Sequence, residues 1–315
     1  MLTFLLLSLP LLGACDALPG ATAPKTAFDG NAAMEYTKAQ LAFGPRVPGT
    51  LAHVKAGDWI TKMMRLRADT VIEQRFTHRT LAGKELPLRN VLARFNPAAS
   101  QRILYLTHWD TRPTADEDRV LGNRGTPIPG ANDGAAGVGL LIALGDALKK
   151  TPPGIGVDLL FVDGEDYGTS FVPPYSDVLL GSQYFAANLP SPDYRPIYGV
   201  LWDMIADKDL NILQEARSVT SAPEVVSRVW QKAAELGYAR YFIPRVGQDV
   251  TDDHVPLLAK GLRVIDVIDI DYGPPAPGGG ASPSFHHTLE DTIDKISVRS
   301  LQIVGDVALA LLSDG

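Results

Sequence analysis

Three apolar runs in this chain stop abruptly at charge. ILYLT (residues 103–107) is followed by His108 and Asp110, LLFV (159–162) by Glu165 and Asp166, and GVLW (199–202) by Asp203. Asp and Glu are depleted from strands and are seldom buried without a partner. Carboxylates abutting segments fit only for burial therefore need a physical reason. Continuous apolar strands separated by helical segments predict an α/β fold, with a mixed, mostly parallel twisted central sheet and helices on both faces. In such sheets the ligand lies beyond the carboxyl ends of the strands, where these acids fall.

The rest of the chain fits that frame. Helical spacing of apolar residues runs through AAMEYTKAQLAFG and LAHVKAGDWITKMMRLRA. Further helices are predicted for GAAGVGLLIALGDALKK, GSQYFAANL, APEVVSRVWQKAAELG and DDHVPLLAKG, and a last one from about Leu289 to Leu312. Strands are predicted in LRNVLARFN, QRILYLTHWD, GVDLLFVDGED, YGVLWDMIAD and LRVIDVIDID. The Gly/Pro-rich DYGPPAPGGGASPS, just before a pair of histidines, reads as a loop over the site.

The N-terminus has a different character. MLTFLLLSLPLLGAC is apolar from Leu2 to Leu12, too short to span a bilayer, and ends at Cys15, the single cysteine of the chain. One cysteine makes no internal disulfide. Its place directly after LLGA resembles a bacterial lipoprotein signal, in which the cysteine is lipidated. The expectation is a lipoprotein-type signal peptide over residues 1–14, a flexible tether over 15–32, and one catalytic domain over 33–315, periplasmic and lipid-anchored at Cys15. The 315 residues, 45% hydrophobic, suffice for a large single core. A net charge of −7 without a Lys/Arg cluster excludes a nucleic-acid surface.

Two more elements join the strand-end acids. PGANDGAAG places Asp133 where a Gly-rich turn meets a helix start, and SFHHTLEDT supplies His286 and His287. Singly, each residue has a plainer reading as a cap or surface group: His53 and His78 stay in that class, Asp163 is read as a turn cap, and Asp291 as a cap of the final helix. Together, carboxylates and imidazoles at one sheet edge repel or stay poorly solvated unless a cation holds them, and this mixture of oxygen and imidazole ligands suits zinc. Of two adjacent carboxylates, one then binds metal while its neighbour carries protons. Asp110 is read as an outer partner orienting His108.

In the order HxD, GAND, GED, WDM, HT, the chain resembles the fold group shared by cocatalytic zinc aminopeptidases and animal-type glutaminyl cyclases, from about Phe43 to the C-terminus. FGPRVPGT, THWDTRP, ANDGAAGVG, EDYG, GSQYFAANL and TDDHVPLL look more like the bacterial glutaminyl cyclases. The resemblance implies one zinc on Asp133, Asp166 and His287, Glu165 as acid/base, and Asp203 and Asp252 hydrogen-bonding into its proton path. It implies conversion of N-terminal glutamine of peptides or proteins to pyroglutamate with release of ammonia. His108 matches a histidine that binds the second zinc in the aminopeptidases. Trp109, Trp202, Phe171 and His286 are expected at the substrate pocket, His286 standing where the cyclases usually carry Trp. The alternative is a two-zinc aminopeptidase, with Asp133 bridging, His108 and Asp203 on one ion, and Asp166 and His287 on the other.

Overall fold

The strands along the chain are β1 (Thr70–Arg79), β2 (Glu85–Phe95), β3 (Arg102–His108), β4 (Gly156–Val162), β5 (Tyr198–Asp203), β6 (Ile212–Gln214), β7 (Phe242–Val246) and β8 (Val264–Ile268). The helices are α1 (Gly30–Leu41), α2 (Leu51–Arg65), α3 (Gly137–Lys150), α4 (Leu180–Ala187), α5 (Ala216–Ser221), α6 (Pro223–Glu235), α7 (His254–Ala259) and α8 (Val298–Ser313). This computed structural model describes residues 25–274 and 284–313.

Alternation within the apolar strands sorts their side chains between two cores, because successive residues of a strand face opposite ways. Ile103 and Tyr105 of β3, Val157, Leu159 and Phe161 of β4, and Val200 and Trp202 of β5 join one core with α1, α2, α3, α6 and α8. Leu104, Leu106, Leu160, Val162 and Leu201 join the other, under Phe185 of α4 and Leu257 of α7. The six-stranded sheet has the order β1-β2-β4-β3-β5-β8. Strands β4, β3, β5 and β8 are mutually parallel; β2 pairs antiparallel with β4, and β1 antiparallel with β2 at the edge. The expected mixed, mostly parallel sheet with helices on both faces is therefore present. β3 lies inside the sheet with β4 on one side and β5 on the other, so the chain reverses its direction of travel around β3. Ligand crevices open at the carboxyl ends of strands at such a reversal.

Several expectations change. β1 was not foreseen: its residues alternate between exposed and half-buried, and Glu73, Gln74 and Arg75 dilute any apolar signal at this sheet edge. The short pair β6 and β7 was missed as well. The final helix begins at Val298, nine residues later than expected, where the Ser297 hydroxyl accepts from the Ser300 N–H as a cap. Asp291 caps no helix end there; it is drawn under the site instead. Residues 1–24, on which the expected signal peptide and Cys15 fall, and residues 275–283 of the Gly/Pro-rich stretch lie outside the described residues.

Residues 25–32, expected to continue the tether, are part of the domain. The backbone N–H groups of Lys25 and Thr26 donate to the Asp306 carboxylate, and Asp29 caps α1 by accepting from Asn31 and Ala32. Phe28 is buried against Gly305, where an added Cβ would come within 2.1 Å of the ring. Replacing Phe28 with Ala opens a cavity that costs about 3 kcal/mol. Denaturant unfolding of Phe28→Ala checks this, and unchanged stability would place the segment outside the cooperative fold.

Candidate active site

The carboxyl ends of β3, β4 and β5 deliver His108, the Asp163–Asp166 turn and Asp203 to one place, and two further segments close on it. One is the turn Ala131–Ala136, kinked at Asp133 and at Gly134, where φ is +92°. A side chain at Gly134 would meet the Asp110 carbonyl oxygen at 2.8 Å and the His108 ring at 3.1 Å, so the turn packs this tightly only because the residue is glycine. The other is the segment ahead of α8, which carries His287.

Asp133 stands at the centre. Its Oδ1 lies 3.1 Å from His108 Nε2, and its Oδ2 lies 3.7 Å from His287 Nε2. Asp203 Oδ1 is 3.3 Å from the same nitrogen of His108, and Asp166 Oδ1 is 3.2 Å from His287 Nε2. Two overlapping triads result, Asp133–Asp166–His287 and His108–Asp133–Asp203, each with ligand atoms within 4.8 Å of one another. Yet both nitrogens of His108, Asp133 Oδ2 and Asp166 Oδ2 make no hydrogen bond among the described residues. Buried polar atoms that approach each other without bonding, when nearly all such atoms in proteins are bonded, aim at a shared point. A cation fits this arrangement.

The electrostatics agree. Burial opposes charge on His287, but Asp166, Glu117 and Asp133 push its pKa up to about 10. Burial likewise opposes charge on His108, and Asp203, Asp110 and Asp133 overcome it, holding the imidazole well above its ordinary range. The carboxylates thus favour positive charge at this spot, the charge a metal ion would supply.

Glu165 belongs to neither triad. It lines the cavity, 7% exposed, with Oε2 3.7 Å from His108 Nδ1. Burial, then Asp166, Asp252 and Asp253, push its pKa well above the carboxylate range despite the opposing His108. Asp252 is raised in the same way, by burial and by Asp203 and Asp253. The cavity, about 250 Å³, is lined by Asp133, Glu165, Asp203, Asp252 and His287 and by the apolar side chains of Phe171, Met204, Val250, Ile268 and Ile270.

Two buried carboxylates hold the ligand-bearing turns by the backbone. Asp110 accepts the N–H of Glu165 at 3.1 Å through one oxygen and that of Asp166 at 3.2 Å through the other. Asp291 accepts the N–H of Asn132 at 2.8 Å and of Asp133 at 3.2 Å, with the Tyr272 hydroxyl donating as well at 2.6 Å. Asp110 was expected to orient His108; it is 3.7 Å from His108 Nδ1, and its hydrogen bonds go to the Glu165–Asp166 turn.

Other expectations fare unevenly. Phe171 and His286 line the cavity, whereas Trp109 and Trp202 do not: both are fully buried in the core, Trp109 stacked on His53 and Trp202 edge-on to Tyr105. A tryptophan next in sequence to a strand-end ligand points into the opposite layer, which is why adjacency misled. Asp163, expected to cap a turn, accepts the Arg89 N–H and pairs with the buried His53 at 2.7 Å. His78 pairs with Asp177 outside the site. Sequence reasoning missed Arg112, Asp116 and Glu117. Arg112 Nη1 donates to Asp166 Oδ1 at 2.5 Å while its other nitrogens hold Asp116. No spacing rule singles out these residues in TRPTADED; only the fold of that loop brings them to the site.

A sheet of this order with a buried carboxylate–imidazole centre at its carboxyl edge defines a metal-dependent exopeptidase-like domain. The chain belongs to peptidase family M28, whose model matches residues 90–312. A Zn-dependent exopeptidase from Parabacteroides distasonis is 35% identical with a TM-score of 0.84, covering 91% of this chain and 99% of its own. The glutaminyl cyclase of Bacteroides thetaiotaomicron, solved with N-acetylhistamine, is 35% identical with a TM-score of 0.84, covering 91% of this chain and 98% of its own. A leucine aminopeptidase precursor from the same bacterium is 34% identical with a TM-score of 0.83 over the same shares.

Asp110→Ala leaves two backbone N–H groups under Glu165 and Asp166 without their acceptor. At about 1–3 kcal/mol for each unsatisfied buried donor, the loss is roughly 2 kcal/mol or more. Chemical denaturation should show it, and an unchanged midpoint would mean that water replaces the carboxylate at no cost.

Proposed function

We propose that this protein is a glutaminyl-peptide cyclotransferase that converts the N-terminal glutamine of peptides or proteins to pyroglutamate and releases ammonia. The observation that carries the reading is Glu165, buried in the cavity lining next to the Asp133–Asp166–His287 triad but outside it, with Asp203 and Asp252 in the same lining. The likeness to a glutaminyl cyclase over nearly the whole domain supports it.

Asp133, Asp166 and His287 would hold zinc. There the ion supplies Lewis-acid polarisation of the γ-carboxamide carbonyl. The chain's own residues do the rest. The apolar residues of the lining take the methylenes of the glutamine, and the small cavity holds the α-amine near the carbonyl carbon of the γ-carboxamide. As the amine nitrogen bonds to that carbon, Glu165 accepts the proton it sheds. Glu165 then returns the proton to the departing amide nitrogen, the C–N bond breaks, and ammonia leaves. No water is consumed. A carboxyl whose pKa is raised by burial and acidic neighbours takes up and holds a proton near neutral pH, where an ordinary carboxylate stays ionised, so it can both accept the amine proton and deliver it. Burial, Asp166, Asp252 and Asp253 keep it so.

One observation favours a second reading: the His108–Asp133–Asp203 triad shares Asp133 with the first, the arrangement a two-zinc aminopeptidase needs. Zinc content and two peptides separate the readings. The cyclase binds about one zinc per chain, loses activity to a chelator, and releases ammonia from a Gln-initiated peptide. Two zincs and free leucine from a Leu-initiated peptide would contradict it. Glu165→Gln should lower kcat by about 10²–10⁴-fold with zinc retained, as removal of a general acid/base does.

We also propose that the protein is exported and anchored through a lipid on Cys15 at the periplasmic side of the inner membrane. The apolar run ending at LLGAC supports this, and no helix among the described residues is long and apolar enough to cross a membrane. Cys15→Ser should move the protein from the membrane to the soluble fraction; retention on the membrane would contradict the anchor.

A further inference from the structure

Glu117 reaches the site by no motif, yet it meets His287 at both ends. Its backbone N–H donates to the His287 carbonyl at 3.3 Å, and its Oε1 lies 3.4 Å from His287 Nδ1. Its second oxygen bonds His286 Nδ1 at 3.2 Å. The His286 ring stacks on the His287 ring with centroids 3.5 Å apart and planes 27° from parallel. One carboxylate thus faces the Nδ1 edges of two stacked imidazoles.

His287 needs such support. Its φ is +52°, a left-handed conformation uncommon for a residue with a side chain, and such backbone persists only when its surroundings impose it. The segment around Glu117 does so: besides the Glu117 N–H, the Asp118 carboxylate accepts the Leu289 N–H at 3.1 Å. A buried imidazole that binds metal through Nε2 also needs an acceptor for its Nδ1 proton, which fixes tautomer and ring direction. His287 Nδ1 is buried and makes no hydrogen bond among the described residues, and Glu117 is the carboxylate within reach of it.

We infer that Glu117 is a positioning residue for the metal centre: by clamping the His286–His287 stack it directs His287 Nε2 between Asp133 and Asp166. This rests on the reading that those three residues hold zinc. It also gives His286 a role that a pocket-wall residue alone lacks, as a prop against the face of the ligand ring.

The test is zinc affinity, by competition with a chromogenic chelator, on wild type, Glu117→Ala, Glu117→Gln and His287→Ala, alongside kcat and KM at saturating zinc. Loss of such an outer partner weakens metal binding by about 10–100-fold. Glu117→Ala should fall in that range. Glu117→Gln, whose amide oxygen still accepts a hydrogen bond from Nδ1–H, should fall between it and wild type. The melting temperature of the zinc-free protein should stay unchanged in both. Wild-type zinc affinity in both Glu117 variants would overturn the inference, and with a raised KM would make Glu117 a substrate contact instead. His287→Ala keeps the two failures apart: if it binds zinc like wild type, the ligand triad itself is wrong and the inference falls with it.

Discussion

Mutual repulsion among buried carboxylates at the carboxyl edge of the sheet is the constraint on which the rest of this structure depends. Asp133, Asp166, Asp203, Glu165 and Asp252 are all nearly inaccessible to water, and each would carry a heavy desolvation cost as an isolated anion. Two imidazoles and Arg112 offset part of that charge. Asp133 Oδ2 and Asp166 Oδ2 stay without a hydrogen bond among the described residues, an arrangement that fits a cation between them. The apolar strands beneath serve this purpose: they bury deeply enough that their ends face each other across a small volume rather than open solvent.

Position is fixed by backbone more than by side chains. Asp110 and Asp291 use one device, a buried carboxylate that accepts two successive N–H groups just where a ligand turn needs holding. Asp291 shows the cost: burial and the nearby Asp133 lift its pKa to about 6. The Tyr272 hydroxyl joins Asp291 from the segment before the Gly/Pro-rich stretch, and Phe285 N–H bonds back to the Tyr272 carbonyl. The base of that excursion is thereby fixed to the same carboxylate that holds Asp133.

What the sequence disclosed follows from the physics of the signal. The strands β3, β4, β5 and β8 are predominantly apolar and buried, though β4 and β8 each carry a buried Asp (Asp158, Asp266), and the acids at the ends of the first three were legible because charge beside burial is rare. His287 and Asp133 were legible through short ordered motifs. Three things were not. β1, a half-solvated edge strand, alternates too weakly between polar and apolar to stand out. Trp109 and Trp202 were misplaced because adjacency along a strand means opposite faces, so neighbours of strand-end ligands point into the core. Arg112, Asp116 and Glu117 depend on how one loop folds over the sheet edge, which no local pattern encodes.

The most direct measurement is anomalous diffraction at the zinc edge from crystals of the zinc-loaded protein. The account predicts one strong peak about 2.0–2.2 Å from oxygens of Asp133 and Asp166 and from Nε2 of His287, with the Glu165 carboxylate outside the coordination sphere. A peak ligated by Glu165, or a second of equal strength between His108, Asp133 and Asp203, would contradict it.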